Sequence, residues 1–298
     1  MKNMNFHEEL SVRTQEVWQI VETYLPAVKG FQSTVLEAMD YSVRAGGKRL
    51  RPMLMQETYR LFGGKNKEIE PFMAAIEMIH TSSLIHDDLP CMDNDTLRRG
   101  LPTAWVKYGY DMAVLAGDGL MIYSMETAAK ALAYTNQPDR VARSMGILAQ
   151  KTGIYGMIGG QTVDVELAGK PIPGEKLDFI YRLKTGALLE ASMVIGALLG
   201  GASEEQIKIV EEMATRIGLA FQIQDDILDV TSSAEVLGKP VYSDEKNHKT
   251  TYVTLKGMEQ AREAVETISE QAVDCLKKLP GENCFLEELI QMLVNREK

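Results

Sequence analysis

Residues Pro71–His86 read PFMAAIEMIHTSSLIH, and they run directly into Asp87-Asp88-Leu89-Pro90-Cys91-Met92-Asp93-Asn94-Asp95. Apolar side chains recur through the first part at three- and four-residue spacing, the period of a helix face. The same spacing returns in Met112–Ala133, Glu175–Leu199 and Glu204–Val230. No stretch alternates apolar and polar residues between Asn-Gly or Asp-Gly turns, so strands are not expected. Of the 10 prolines, Pro52, Pro71, Pro102, Pro171, Pro173, Pro240 and Pro280 stand where helices should end. Gly169–Gly174 and Thr231–Lys249 read as loops. No repeat and no Ser/Gly-rich linker divides the chain. The expectation is an all-α protein, one large helical bundle spanning 1–298.

Composition narrows the function. The 298 residues are 45% apolar and 25% charged, ordinary for a globular protein. Disordered, collagen-like and disulfide-scaffold chains are excluded. The net charge of −10 argues against a generally basic nucleic-acid binder. An anionic ligand must then be met by local cations or by metal, because the overall field repels it. Cys91, Cys275 and Cys284 form no CxxC pair, which excludes a zinc ribbon and a thioredoxin-type motif. So sparse a count fits a reducing cytoplasm. The N-terminal residues lack an apolar h-region, so no secretory signal is expected. The longest weakly polar stretch, Ala187–Ala202, contains Glu190 and reads as too short to span a bilayer. It is predicted to be a core helix. The 17 methionines either fill the core or line a deformable apolar cavity, and composition does not choose.

The cluster after His86 places Asp87, Asp88, Asp93 and Asp95 within nine residues. Unneutralised, such carboxylates raise one another's pKa values. A hard divalent cation removes the repulsion. A second cluster reads Phe221-Gln222-Ile223-Gln224-Asp225-Asp226-Ile227-Leu228-Asp229. Asp225 and Asp229 are four apart and share a helix face, which destabilises a bare helix. In the first cluster the residue one turn past Asp87 is Cys91, a poor Mg²⁺ ligand. Pro90 distorts the backbone there, and a bulge over Leu89–Met92 is expected to return Asp93 to the face of Asp87. Oxygen-only donors point to Mg²⁺ rather than zinc.

The stretch Gly46-Gly47-Lys48-Arg49-Leu50-Arg51-Pro52 combines two glycines with three cations. The glycines allow a close backbone approach, and the cations supply charge and forked donors. A basic surface loop is the equal alternative. Arg98-Arg99-Gly100 follows the first aspartate cluster, and Lys184-Thr185, Lys239 and Lys249 complete the set. Arginines and lysines apart from metal-binding aspartates suggest two phosphate sites, one metal-free and one metal-bridged. The histidines show no HExxH or paired spacing. His7 and His86 read as satisfied side chains, whereas His80 gains a role only from the resemblance that follows.

The strings GGKRLRP, EMIHTSSLIHDDLPCMDND, RRG, GGQTVD, LKTGAL, FQIQDDILD and GKPVYSDEKNHKTTY, in this order over about Leu36–Tyr252, resemble the trans-isoprenyl diphosphate synthases. The bacterial short-chain enzymes that make farnesyl or geranylgeranyl diphosphate are the nearest group. The resemblance implies antiparallel helices around a central cavity and a homodimer; the cysteine count, apolar stretches and net charge have already pointed to a cytoplasmic protein with no membrane-integral segment and no nucleic-acid partner. It implies three Mg²⁺ ions held by Asp87, Asp88, Asp93, Asp225, Asp226 and Asp229, with Asp244 acting through water. It assigns Arg98, Lys184, Lys239 and Lys249 to an allylic diphosphate. Gly47, Lys48, Arg51, His80 and Arg99 fall to isopentenyl diphosphate. Thr185, Gln161 and Gln222 stand beside the reacting carbon, and Asp164 matches a paired aspartate. Thr96, Trp105, Tyr242 and Ser82 depart from the family's usual residues. The small Ser82 and Ser83, before Asp87, imply a deep cavity floor and favour a twenty-carbon over a fifteen-carbon product. Rival expectations are a terpene cyclase, which has no need of the metal-free basic site, and an inactive partner subunit, which should have lost aspartates.

Overall fold

The computed structural model describes residues 5–231 and 250–294. Among these, helices dominate, and contacts group the chain into two compact units. The first comprises the chain up to Gln56 together with Asn66–Met145; the second comprises Glu57–Lys65 and the chain from Gly146 onward.

The first unit is built on α4 (Glu70–Asp87), which packs most extensively against α6 (Tyr110–Ala129). Pro71 occupies the first turn of α4, where a missing N–H costs nothing. Phe72, Met73, Ile76, Met78 and Ile79 are all fully buried, so α4 is apolar nearly all round, as a central helix must be. α1 (Phe6–Thr23) and α2 (Ser33–Arg44) also pack on α4, and α2 on α6. α1 starts with a capping box between Asn5 and Glu8. α5 (Ala104–Tyr108) joins α6 through Gly109 at φ +100°. α3 (Leu50–Leu61) and α7 (Pro138–Thr152) each pass from residues of one unit to residues of the other.

The second unit contains α8 (Met157–Glu166), α9 (Gly174–Ile180), a π turn (Tyr181–Gly186), α10 (Ala187–Gly200) and α11 (Glu204–Thr231). α12 (Tyr252–Lys256), α13 (Met258–Leu276) and α14 (Cys284–Val294) follow. α11 lies against α10 and α13. Ala220, Ile223 and Ile227 pack with Ala261 and Val265 into one core cluster.

Two expectations need correction. A short hairpin does form: β1 (Leu97–Arg98) pairs antiparallel with β2 (Leu101–Pro102). Its turn residues Arg99 and Gly100 have φ of +53° and +77°, the doubly left-handed geometry that closes a two-residue hairpin. An Arg at the first position hid that signal. The apolar stretch is also longer than Ala187–Ala202: α9, the π turn and α10 form one run of 27 residues, Gly174–Gly200. By length and composition alone it could cross a bilayer, but 72% of its most apolar window is buried inside the protein. Its core role therefore rests on burial, not on length.

Candidate active site

In the first unit α4 stops at Asp87 instead of bulging through Pro90. The chain folds back, so that Asp93 N–H donates to the Asp87 carbonyl (2.9 Å) and Asn94 N–H to that of Leu89 (3.1 Å). Asn94 takes φ +55°, a conformation asparagine tolerates. Asp93 thus returns to the end of α4, as expected, but through a loop. Trp105 Nε1 and Thr103 Oγ1 both donate to the Asp95 carbonyl, at 2.8 and 2.9 Å, and hold the far end of that loop. This gives the unusual Trp105 a structural account. Asp88 is buried and accepts a forked pair from Arg98, with Nε at 2.7 and 3.0 Å from its two oxygens. Burial pushes the Asp88 carboxyl up from its ordinary range, and the Arg98 bonds oppose that rise.

The hairpin turn sends Arg99 toward the glycine pair, where its Nη1 donates to the Gly46 carbonyl. Gly47 has φ +127°, and a Cβ there would lie 2.8 Å from the Arg99 guanidinium. Only glycine fits on both counts. His80, half-buried on α4, has its pKa held well below the usual value by burial and then by Arg51, Arg99, Arg98 and Arg49. It is a neutral imidazole among arginines. Arg51 is half-buried and Lys48 exposed. Thus Gly47, His80 and Arg99 are brought together with Arg51 close enough to act on His80. Arg49, in the same basic string, has a different role: it is 5% exposed, with Nη1 2.5 Å from Glu77 Oε1, Nη2 2.6 Å from the Val43 carbonyl, and its guanidinium 4.8 Å from the Trp18 ring centre.

In the second unit the π turn carries Lys184 and Thr185. Such turns concentrate at functional sites because the extra residue re-aims side chains. Lys184 Nζ is 2.6 Å from Asp164 Oδ2 on α8, and Thr185 Oγ1 donates to Gln222 Oε1 on α11 at 2.8 Å. Small residues permit this approach. A Cβ on Gly160 would lie 2.2 Å from Lys184 N, and one on Gly218 2.9 Å from Gly186 Cα. Gln161 is half-buried on α8, next to Gly160. Asp225 is half-buried, whereas Asp226 and Asp229 are each 3% exposed. Asp226 Oδ2 accepts from Tyr181 Oη at 2.5 Å and from Tyr252 N–H at 2.8 Å. No motif or spacing pointed to Tyr181, because its partner lies on another helix.

Lys239, Asp244, Lys249 and Tyr242 lie outside the described residues. Of the chain-length candidates, Ser82 is fully buried with its hydroxyl on the Ile79 carbonyl, while Ser83 is half-buried. Among the described residues no three His, Cys, Asp or Glu side chains already converge on a metal position. The donor chemistry nevertheless fits Mg²⁺, which takes one or two carboxylates and completes its shell with water and substrate phosphate.

The polyprenyl synthetase family model matches residues 32–283. A farnesyl diphosphate synthase of Geobacillus stearothermophilus is 39% identical over 297 residues, covering 100% of both chains. A heterodimeric geranylgeranyl pyrophosphate synthase large subunit of Arabidopsis thaliana is 48% identical over 80% of this chain, which spans 66% of that relative's length. A crystal structure of geranyltransferase from Helicobacter pylori, complexed with magnesium and isoprenyl diphosphate, superposes with a TM-score of 0.84 at 32% identity, over 99% of this chain and 98% of that one. An apo FPP/GFPP synthase of Zymomonas mobilis gives 0.85 at 33% identity, over 97% of this chain and 99% of that one. The all-α fold, the aspartate-tipped helices and these likenesses agree: the chain belongs to the polyprenyl synthetase family, among its short-chain trans-prenyl diphosphate synthases.

Proposed function

We propose that the protein condenses isopentenyl diphosphate head to tail with dimethylallyl, geranyl or farnesyl diphosphate, giving geranylgeranyl or farnesyl diphosphate. The observation that carries this reading is the cluster of Gly47, Arg51, His80 and Arg99 around a neutral imidazole. Its own side chains are cationic or neutral, as a diphosphate bound without metal requires. A terpene cyclase, which binds one diphosphate, has no use for it.

The basic cluster, with Lys48, holds isopentenyl diphosphate, and the arginines supply forked donors to its phosphate oxygens. Arg98 and Lys184, with Lys239 and Lys249, hold the allylic diphosphate. Asp87, Asp88, Asp93, Asp225, Asp226 and Asp229 are the candidate ligands of Mg²⁺, and Asp244 acts through water. Three Mg²⁺ ions, when bound, neutralise the charge gathering on the leaving diphosphate. The allylic C–O bond breaks, and its electron pair leaves with the diphosphate. Thr185 Oγ1 and the Gln222 carbonyl, joined at 2.8 Å, present oxygen dipoles to the allylic cation, with Gln161 alongside. The isopentenyl double bond attacks that cation, and a proton from the resulting adduct passes to the departed diphosphate. Water must be excluded to keep the cation from quenching. The protein works as a cytoplasmic homodimer, with 1–298 as one synthase domain.

The experiment compares single variants for each substrate. Arg51→Ala is expected to raise the KM for isopentenyl diphosphate about ten- to hundredfold, the weight of one charge-assisted contact. Lys184→Ala is expected to act on the allylic substrate instead. Equal effects of both variants on both substrates would overturn the two-site reading. Mass spectrometry of the wild-type product then gives its length, for which twenty carbons is expected.

A further inference from the structure

We propose that Tyr181 is a positioning residue for prenyl transfer. Its hydroxyl, donated to Asp226, fixes the π turn bearing Lys184 and Thr185 against α11. This rests on the prenyl-transfer reading and deepens it.

Tyr181 opens the π turn and is 6% exposed, packed with Ile172, Leu177 and Ile180. A tyrosine in an apolar cluster needs a partner for its hydroxyl. It finds Asp226 Oδ2 at 2.5 Å. The Tyr252 N–H donates to the same oxygen at 2.8 Å and lies 3.2 Å from Tyr181 Oη, so three elements meet there. Asp226 is one residue from Asp225, a rotation of about 100° round the helix. Asp225 and Asp229 therefore share a face, while Asp226 turns toward the π turn. A carboxylate oxygen that already accepts two bonds, at 3% exposure, is suited to hold structure in place.

The need for such an anchor follows from the turn itself. Its i→i+5 pattern is less stable than the α-helix on either side. Around it stand Gly160, Gly186 and Gly218, which allow close approach but offer no side chain to set register. The Thr185–Gln222 and Lys184–Asp164 bonds then depend on where the turn sits. A misplacement of about 1 Å at a reacting centre can cost a hundredfold in rate. The Tyr181–Asp226 bond is thus the pin that keeps Thr185 at its distance from the reacting carbon. Asp226 holds that pin through its Oδ2.

The test assays purified full-length variants with isopentenyl and geranyl diphosphates, beside thermal melts and Mg²⁺ titrations. Tyr181→Phe is expected to fold, to lose about ten- to hundredfold in kcat, and to keep its KM for isopentenyl diphosphate and its half-saturating Mg²⁺ concentration. Asp226→Asn keeps an acceptor oxygen and should lose less kcat than Asp226→Ala. The double variant Tyr181→Phe/Asp226→Ala should be no slower than Asp226→Ala alone, because both remove one bond. A Phe variant that melts earlier but turns over at the wild-type kcat would overturn the proposal. So would equal losses in Asp226→Asn and Asp226→Ala accompanied by a higher Mg²⁺ requirement, since that marks a metal ligand. A wild type that forms no prenyl product overturns the functional reading itself, whereas an active wild type with an equally active Phe variant overturns only this inference.

Discussion

His80 shows how one side chain is tuned by its neighbours. Burial and four arginines disfavour its charged form, so its folded pKa lies well below the ordinary 6.5. In the unfolded chain it titrates near that ordinary value. Between the two values the unfolded state binds a proton that the folded state refuses, so stability falls as pH drops below about 6.5 and is unaffected by His80 above it. His80→Asn removes this contribution. Melts at pH 7.5 and 5.5 should show a smaller loss in the variant, by at most about 1.4 kcal/mol per pH unit. A wild type and variant with parallel pH dependence would show that the imidazole is not held neutral. In the proposed isopentenyl site the charge then comes from arginines, which stay protonated from pH 6 to 8, and not from His80. Arg49 makes the complementary point. Its sequence neighbourhood matched that of a ligand, yet it is one half of a buried ion pair with Glu77. Spacing cannot separate those two fates, because the deciding partner is on another helix.

At the level of elements, α4 carries the most readable information. Its partly open side runs through His80, Ser83, Leu84 and Asp87, at offsets of three, one and three that keep to one face, whereas Ile79 and Ser82 are fully buried. A prenyl chain growing from Asp87 along this helix would meet Ser83 first. Ser83→Phe is therefore expected to shorten the main product by one five-carbon unit or more, read by mass spectrometry. Ser82→Phe forces an aromatic ring into packed surroundings and should cost about 1–3 kcal/mol of stability, seen as a lower Tm. An unchanged product in Ser83→Phe together with a shortened one in a folded Ser82→Phe would reverse the assignment. The placement of Asp225, Asp226 and Asp229 on one helix was legible from their spacing, since all three lie in α11. The fold-back at Leu89–Asp93 was legible in outcome but not in form. The hairpin and the π turn were not legible, since each depends on backbone torsions or hydrogen bonds that many residue types can adopt.

For the whole molecule, charge and function have to be reconciled. The chain carries −10, and each proposed substrate is a diphosphate. Arginines and lysines offset the repulsion locally, but the aspartate clusters add to it until a cation occupies them. Activity should then depend on divalent metal without exception. Excess chelator is expected to abolish turnover, and added Mg²⁺ to restore it. Asp87→Ala and Asp225→Ala should fold with a wild-type Tm and lose nearly all turnover, as both side chains are only half-buried. The same assay, run on the chain purified alone, separates an enzyme active by itself from the silent half of a pair. A silent subunit has no need of ionisation chemistry, and loss of the aspartates costs it nothing. Here all six candidate metal ligands are aspartates, and Lys184, Thr185 and Gln222 stand in their bonded arrangement. The protein purified alone should consume isopentenyl and geranyl diphosphates and elute as a dimer. Turnover that appears only when a second, different chain is added would reject this reading, and full turnover in excess chelator would reject the metal assignment.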